Sequence, residues 1–165
     1  MKRLLPDDTI LLKHYRDGLS NRQIAELYGV TVQAVAKRLD NLGIKRYPYA
    51  NAATAIFEAA WPNGETGRVQ FTDRSRARSL HVFLRRRLGD PTLSVNQRYV
   101  AELFERKVRE EGVVLDFDRA HPEGPWVFVH RVEADGRRVI RWPEGKELPP
   151  GDLAQALDLP SKPWS

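Results

Sequence analysis

Residues 20–43 read SNRQIAELYGVTVQAVAKRLDNLG, which is two short helical patterns separated by a turn. Ser20 and Gln23 have the spacing of a capping box, in which each side chain bonds the backbone amide of the other residue. Gly29 supplies the left-handed backbone that ends the first helix, and Thr31 is placed to cap the second. The stretch therefore predicts two helices that pack against each other across a tight turn.

The side chains of the second predicted helix separate into two faces. Its apolar side carries Val32, Val35, Leu39 and Leu42. Gln33 and Lys37 point away from that side in the first two turns, the part of a DNA-binding helix-turn-helix that enters the major groove, where Gln bonds adenine and Lys bonds guanine. Arg22, at the start of the preceding helix, is placed for a phosphate. The pattern predicts DNA binding; an ordinary helical corner with solvated side chains is the alternative.

This helix pair belongs to a predicted domain of residues 1–47. Asp7 or Asp8 caps a further predicted helix, which Gly18 ends. The core residues expected outside the second helix of the pair are Ile10, Leu11, His14, Tyr15, Ile24, Ala25, Leu27 and Val30.

Basic residues are concentrated in two blocks of the chain. Lys and Arg total 27 against 22 Asp and Glu, a net charge of +5 over 165 residues. The net charge is +4 over residues 1–47, −2 over 48–67, +7 over 68–109 and −4 over 110–165. Most of the basic residues are Arg, whose planar fork bonds phosphate or guanine through two hydrogen bonds. The distribution favours a polyanionic partner that meets two surfaces of the chain.

The rest of the chain predicts a linker and a second domain. Residues 48–62 form a linker helix, and residues 63–165 form a domain of two helices and a sheet. The helices run from Thr72 or Asp73 to about Leu88, and from Ser94 or Asn96 to Gly112. The residues at helical spacing in the second of them are Val95, Tyr99, Leu103, Phe104 and Val108.

A change of apolar period from about four to two after Gly112 predicts three strands. They cover residues 113–117, 126–130 and 138–142, and Ala134-Asp135-Gly136 is a hairpin signal between the last two. A short helix at residues 152–157 and a frayed tail at 163–165 complete the domain. The predicted fold class is therefore mostly α with a small antiparallel β part, α+β.

The first helix of the second domain is rich in arginine. Six Arg and no acidic residue occur between Arg74 and Arg87. On a helical wheel the apolar stripe consists of Ala77, Leu80, Leu84 and Leu88, and the neighbouring stripe consists of Arg74, Arg78, His81 and Arg85. A polyanion lying on this stripe would relieve the repulsion between its charges, with the cluster of residues 73–78 touching a duplex. The alternative is a solvated face that the acidic C-terminal strands neutralise.

Composition limits the other function classes. With no Cys, the chain has no disulfide, thiolate zinc site or cysteine nucleophile. It has no apolar run of bilayer length and no signal-peptide pattern, so we expect a soluble, cytoplasmic protein. Asp116 and Asp118 share a face of a predicted strand and keep a magnesium-dependent nuclease as an alternative. Otherwise we expect no enzymatic activity, no cofactor and no small-molecule substrate.

Several motifs occur in an order that resembles a known family. They are QIAELYGVT at 23–31, QAV at 33–35, WP at 61–62, DRSRA at 73–77 and VVLDFD at 113–118. The order is similar to that in the immunity repressors of temperate mycobacteriophages. The resemblance implies a repressor that maintains lysogeny and superinfection immunity by binding an operator and dispersed asymmetric stoperator sites, without dimerising.

The resemblance also implies roles for individual residues. Thr31, Gln33 and Lys37 would face the groove, while Arg74, Ser75, Arg76 and Arg78 belong to a second DNA-binding module. Val32, Arg38 and Arg85 lie on the same two helices and complete the predicted contacts, together with Arg22. Another helix-turn-helix regulator, or the DNA-recognition part of a recombinase, is the runner-up.

The sequence favours one chain for each DNA site. Residues 110–165 contain no long apolar heptad repeat, so no coiled-coil dimer face is evident. Two DNA-binding surfaces on one chain raise affinity by tethering instead. We therefore expect a monomer on double-stranded DNA.

Overall fold

The computed structural model describes residues 4–44 and 49–164. In these ranges the chain is mostly helical with one small antiparallel sheet, which confirms the predicted α+β class. The chain divides into two compact units: Met1–Tyr47 with Pro91–Leu93, and Pro48–Asp90 with Ser94–Ser165. No helix among the described residues has both the length and the apolar character needed to cross a membrane.

Three helices form the first unit, and local capping explains where each begins. They are α1 (Asp8–Arg16), α2 (Asn21–Tyr28) and α3 (Val32–Asn41). Asp7 caps α1 by accepting from the Ile10 amide at 3.0 Å. Ser20 and Gln23 form the predicted capping box on α2, and the Thr31 hydroxyl accepts from the Ala34 amide at 3.1 Å to cap α3. Gly29, with φ of 62°, is the left-handed turn residue between α2 and α3.

The core of the first unit is narrower than the apolar pattern predicts. Leu11, Ile24, Ala25, Val35 and Leu39 are its buried residues. Ile10, Leu27 and Val32 were expected beside them but are 44%, 61% and 42% exposed. Successive residues of a helix are about 100° apart around its axis, so Ile10 and Leu11 point in different directions. Each of the three short helices buries one stripe of its surface against the other two, and apolar residues outside that stripe stay exposed to solvent.

The second unit contains five helices and two strands among its described residues. The helices are α4 (Tyr49–Ala60), α5 (Asn63–Thr66), α6 (Ser75–Arg87), α7 (Val95–Glu111) and α8 (Asp152–Ala156), and the strands are β1 (Val113–Phe117) and β2 (Trp126–His130). Short 3₁₀ turns cover Arg68–Phe71 and Glu133–Asp135. The segment predicted as a linker helix contains α4, which packs on α6 and buries Ile56 and Phe57 in the core.

The sheet has two strands where three were predicted. β1 and β2 are antiparallel, with Val113 opposite His130 and Phe117 opposite Trp126. The segment predicted as a third strand, 138–142, forms only isolated bridges, a parallel one between Leu115 and Ile140 and an antiparallel one between Arg138 and Asp158. Residues 134–136 therefore do not form the expected hairpin, and the chain crosses to the other side of β1.

Asp135 explains this change of direction. Its buried carboxylate accepts from the Val132 amide at 2.8 Å and from Nε of Arg141 at 3.0 Å. Burial raises the pKa of Asp135, but these hydrogen bonds outweigh burial and hold the pKa below its usual value. The ionised carboxylate thus fixes a 3₁₀ turn after β2 in place of a hairpin.

Of the apolar residues at helical spacing in α7, Phe104 and Val108 are buried and the others are exposed. Ala101, Phe104, Glu105 and Val108 are buried, whereas Val95, Tyr99 and Leu103 are 87%, 52% and 40% exposed. Both sets recur every three or four residues, so spacing does not separate them. A buried Glu105 is tolerated because Arg109 donates to its carboxylate at 2.8 Å.

The C-terminal segment is held against the second unit, so the predicted frayed tail is wrong for Trp164. Its ring packs on Phe83, with centroids 5.3 Å apart, and the Arg86 guanidinium lies 4.2 Å from its centroid. The backbone carbonyls of residues 155–160 accept hydrogen bonds from Arg87, Arg109 and Arg137. Three arginines of a basic protein therefore have a structural role here.

Replacing Trp164 tests the role of this segment. Trp164→Ala removes an aromatic pair and a cation–π contact, so we expect the free energy of unfolding to fall by about 1–2 kcal/mol. Tyr99→Ala, which truncates a mostly exposed ring on α7, is the control and should change it by less than about 0.5 kcal/mol. Urea unfolding curves measure both. Equal stability of the Trp164 variant and the wild type would contradict a packed tail.

Candidate nucleic-acid interface

The exposed face of α3 carries the predicted base-reading residues. Gln33 and Lys37 are exposed, and neither bonds another described side chain. Val35 and Leu39 are fully buried on the opposite face, which fixes the rotation of the helix. Thr31 is exposed beside them, with its hydroxyl engaged in capping. Val32 is 42% exposed, although the helical wheel places it on the apolar side.

The two predicted arginines of the first unit both have acidic neighbours. Arg22 lies 3.5 Å from Glu26, and both side chains are exposed, so the pair is weak and open to exchange for a phosphate. Arg38 donates to Asp8 at 2.7 Å and ties α3 to the start of α1. Arg22 is thus available to a ligand, whereas Arg38 first supports the packing of the unit.

The first half of α6 presents cationic side chains to solvent. Arg74, Ser75, Arg76 and Arg78 are all exposed. Arg78 has no hydrogen bond or ion pair to any described residue, and the Arg74 guanidinium lies 5.9 Å from the centroid of the Phe71 ring. Arg76 is anchored, since Nη1 donates to the Trp126 carbonyl at 2.8 Å. No acidic side chain pairs with these arginines in the described part of the chain.

The second half of α6 is neutralised within the protein. Nε of Arg85 donates to the buried carboxylate of Asp90 at 2.8 Å. Arg86 pairs with Glu102 at 3.2 Å, and Arg87 bonds the tail carbonyls. Its bond to a buried carboxylate gives Arg85 a structural role, and its DNA contact stays a prediction.

The arginine helix therefore divides into two parts. For Arg85 and Arg86 the alternative of local neutralisation holds, although the acids are Asp90 and Glu102 and not the C-terminal strands, and Arg87 is bound by backbone carbonyls. For residues 74–78 no such neutralisation is present among the described side chains. Sequence spacing cannot separate the two halves, because Asp90 reaches Arg85 only through the turn after Leu88.

A cleft of about 480 Å³ lies beside this stripe, between α4, the first 3₁₀ turn and α6. Thr54, Thr72, Arg78, His81 and Gln97 line it, and its lining includes no acidic residue. Arg68, also in the lining, is buried by bonds to Glu58 at 2.6 Å and to the Trp61 carbonyl. Because Arg68 and Arg85 are paired with Glu58 and Asp90, Arg78 is the arginine of the lining that no described carboxylate pairs.

The two aspartates of the nuclease alternative are engaged by the backbone. Asp116 accepts from the Phe117 amide at 2.8 Å, and burial raises its pKa. Asp118 accepts from the Ala120 amide at 3.0 Å and shapes the turn after β1. Among the residues that the structure describes, no three acidic or histidine side chains are grouped to hold a metal ion.

Comparison with known proteins adds no relative. No family model matches the chain, and a search of proteins with curated functions gives no match. Its function is therefore inferred from the residues and geometry of the chain itself.

His81 makes the stability of the second unit pH-dependent. Burial lowers its pKa, a hydrogen bond to the Ala50 carbonyl opposes this, and the charge of Arg85 lowers the pKa further. Below about pH 6.5 the unfolded chain therefore binds more protons than the folded one, and the free energy of unfolding should fall as the pH decreases.

The comparison of wild type with His81→Gln isolates this contribution. We expect the melting temperature to fall less in the variant than in the wild type between about pH 7.5 and about pH 5.5. The carboxylates affect both proteins alike, so the difference between the two slopes reports on His81. Identical slopes would show that His81 is as easily protonated in the folded protein as in the unfolded chain.

Proposed function

We propose that this protein is a sequence-specific double-stranded DNA-binding repressor with no enzymatic activity. The observation that carries the proposal is the presence of two surfaces of unpaired cationic and amide side chains, one in each unit. The first is Gln33 with Lys37 on α3, and the second is Arg74, Ser75 and Arg78 on α6. In this proposal α2 and α3 act as a helix-turn-helix.

The first unit reads bases in the proposed complex. Gln33 bonds an adenine edge and Lys37 a guanine edge in the major groove. Thr31 and Val32 lie at the end of α3 that enters the groove, and Arg22 holds a phosphate after leaving Glu26. Capping by Thr31 and burial of Val35 support this, because they fix α3 before DNA arrives and limit the ordering needed on binding.

The second unit supplies affinity through the DNA backbone. Arg74, Arg76 and Arg78 contact phosphates, and the hydroxyl of Ser75 lies at the same end of α6. Displacement of counterions from the duplex drives this step. Arg85 and Arg38, whose charges are matched by Asp90 and Asp8, are not required as direct contacts.

The biological role we propose is that of a phage immunity repressor acting in the cytoplasm of the bacterial host. It rests on the ordered motifs that resemble those of the mycobacteriophage repressors. One chain occupies one asymmetric operator or stoperator site, because the second unit contributes the binding energy that a dimer partner contributes in other repressors.

Footprinting on phage and host DNA, followed by titration of the protected duplex, tests the proposal. Binding through about 6 to 10 phosphates should weaken by about 10³ to 10⁵ between about 50 and 200 mM salt. The double variant Arg74→Ala, Arg78→Ala should bind more weakly and reduce the slope of log affinity against log salt by about 2. Arg98→Ala, which removes an exposed charge from α7, is the control. Sedimentation should find one chain on each duplex, and two chains would refute the monomeric mode.

Base reading is tested separately with Gln33→Ala. Loss of a bidentate contact should cost about 1–3 kcal/mol on the best site and relax the preference at one base pair. Arg22→Ala should instead weaken binding to all sequences alike. Both variants are titrated against the best site and its single-base substitutions. Equal losses for Gln33→Ala on every duplex would exclude Gln33 as a base-reading residue.

A further inference from the structure

The loop between β1 and β2 carries an arginine beside the start of α6. Arg119 is exposed, and its guanidinium carbon lies 5.9 Å from the centroid of the Phe71 ring. Arg74 lies at the same distance from the same ring. The two guanidinium groups are therefore within about 12 Å of each other, on segments far apart in sequence.

The ring that both arginines contact is rigidly held. Phe71 packs on Phe117, with centroids 6.0 Å apart, and its carbonyl accepts from Nε1 of Trp126 at 2.8 Å. The loop that carries Arg119 is closed by its own backbone bonds, from the Asp118 amide to the Pro125 carbonyl at 2.7 Å and from Gly124 to His121 at 3.1 Å. Both ends of the contact are thus fixed by the fold.

Gly67 makes room for the Arg119 guanidinium. Its φ is +68°, and a Cβ built on it would lie 2.5 Å from Nη1 of Arg119. Any larger residue at this position would displace the guanidinium while leaving its charge in the protein.

Arg119 has no ionic partner among the described residues. The nearest acid in sequence, Asp118, directs its carboxylate to the Ala120 amide. Contact with an aromatic ring uses the face of a guanidinium and leaves its N–H edge available as a fork of donors. A guanidinium that is held in place, and that no described acceptor bonds, can donate two parallel hydrogen bonds to the oxygen atoms of a phosphate.

We propose that Arg119 and Arg74, both held at the Phe71 ring, form a clamp for the phosphates of the DNA backbone, and that Gly67 positions Arg119. The clamp extends the second DNA surface from α6 onto the loop between β1 and β2. This inference rests on the proposed DNA binding. It adds a contact that spacing does not predict, because Arg119 is isolated in sequence from the arginine-rich helix.

The test compares four variants of the full chain on the duplex that footprinting identifies. Arg119→Ala should weaken binding by about 10- to 100-fold, equally for all sequences, and reduce the slope of log affinity against log salt by about 1. Arg119→Lys keeps the charge without the fork, so it should retain the slope and lose part of the affinity. Thermal unfolding checks that each variant is folded.

Gly67→Ala provides the positional test, and Gly112→Ala is its matched control. Both glycines have positive φ, +68° and +62°, but a Cβ on Gly112 meets no atom within 4 Å. We expect Gly67→Ala to reproduce most of the affinity loss of Arg119→Ala and Gly112→Ala to bind like the wild type. Equal binding by the two glycine variants would overturn the positioning role of Gly67.

The outcomes separate this inference from the proposed function. Wild-type affinity and salt slope in Arg119→Ala, with reduced binding in Arg74→Ala, Arg78→Ala, would overturn the clamp and leave DNA binding intact. Failure of the wild-type chain to bind any duplex would overturn both.

Discussion

Burial of one face of α6 is the constraint on which the second unit depends. Ala77, Leu80, Phe83 and Leu84 are all buried, and they join α4, α7 and the C-terminal segment in one core. With that face fixed, the direction of each arginine on the helix follows from its position in the helical turn. An apolar contact thus decides which charges face solvent and which face the protein.

The arginines of this chain act in two different ways because their surroundings differ. Some guanidinium groups bond an acidic side chain or backbone carbonyls and so stabilise the fold. Examples are Arg85, Arg87 and Arg109. Where no described residue pairs with the guanidinium, as at Arg78 and Arg119, the charge stays open to a ligand. The net charge of +5 does not distinguish arginines that are paired within the protein from arginines that are open to a ligand.

In the first unit, too, one set of residues fixes the helices and another set stays exposed. Three side-chain caps and a left-handed glycine fix its helices, and a core of five residues fixes their packing. Apolar residues outside that core, such as Leu27, remain exposed because three short helices cannot cover them. The outward face of α3 is consequently fixed in place, and no described residue bonds its Gln33 or Lys37 side chain.

Interactions between near neighbours in the chain were predictable from the sequence, and contacts between distant segments were not. The caps at Ser20, Thr31 and Ser94 join residues three apart, so their spacing alone identifies them. Which apolar residues of α7 are buried and which path the chain takes after β2 depend on where distant segments lie. Only Phe104 and Val108 of the α7 pattern are buried, and residues 138–142 do not form the predicted strand. For the candidate site, spacing places Gln33 and Lys37 on one helical face. Only the tertiary structure pairs Arg86 with Glu102 and brings Arg119 beside Phe71, because those contacts form after packing has fixed the positions of their segments.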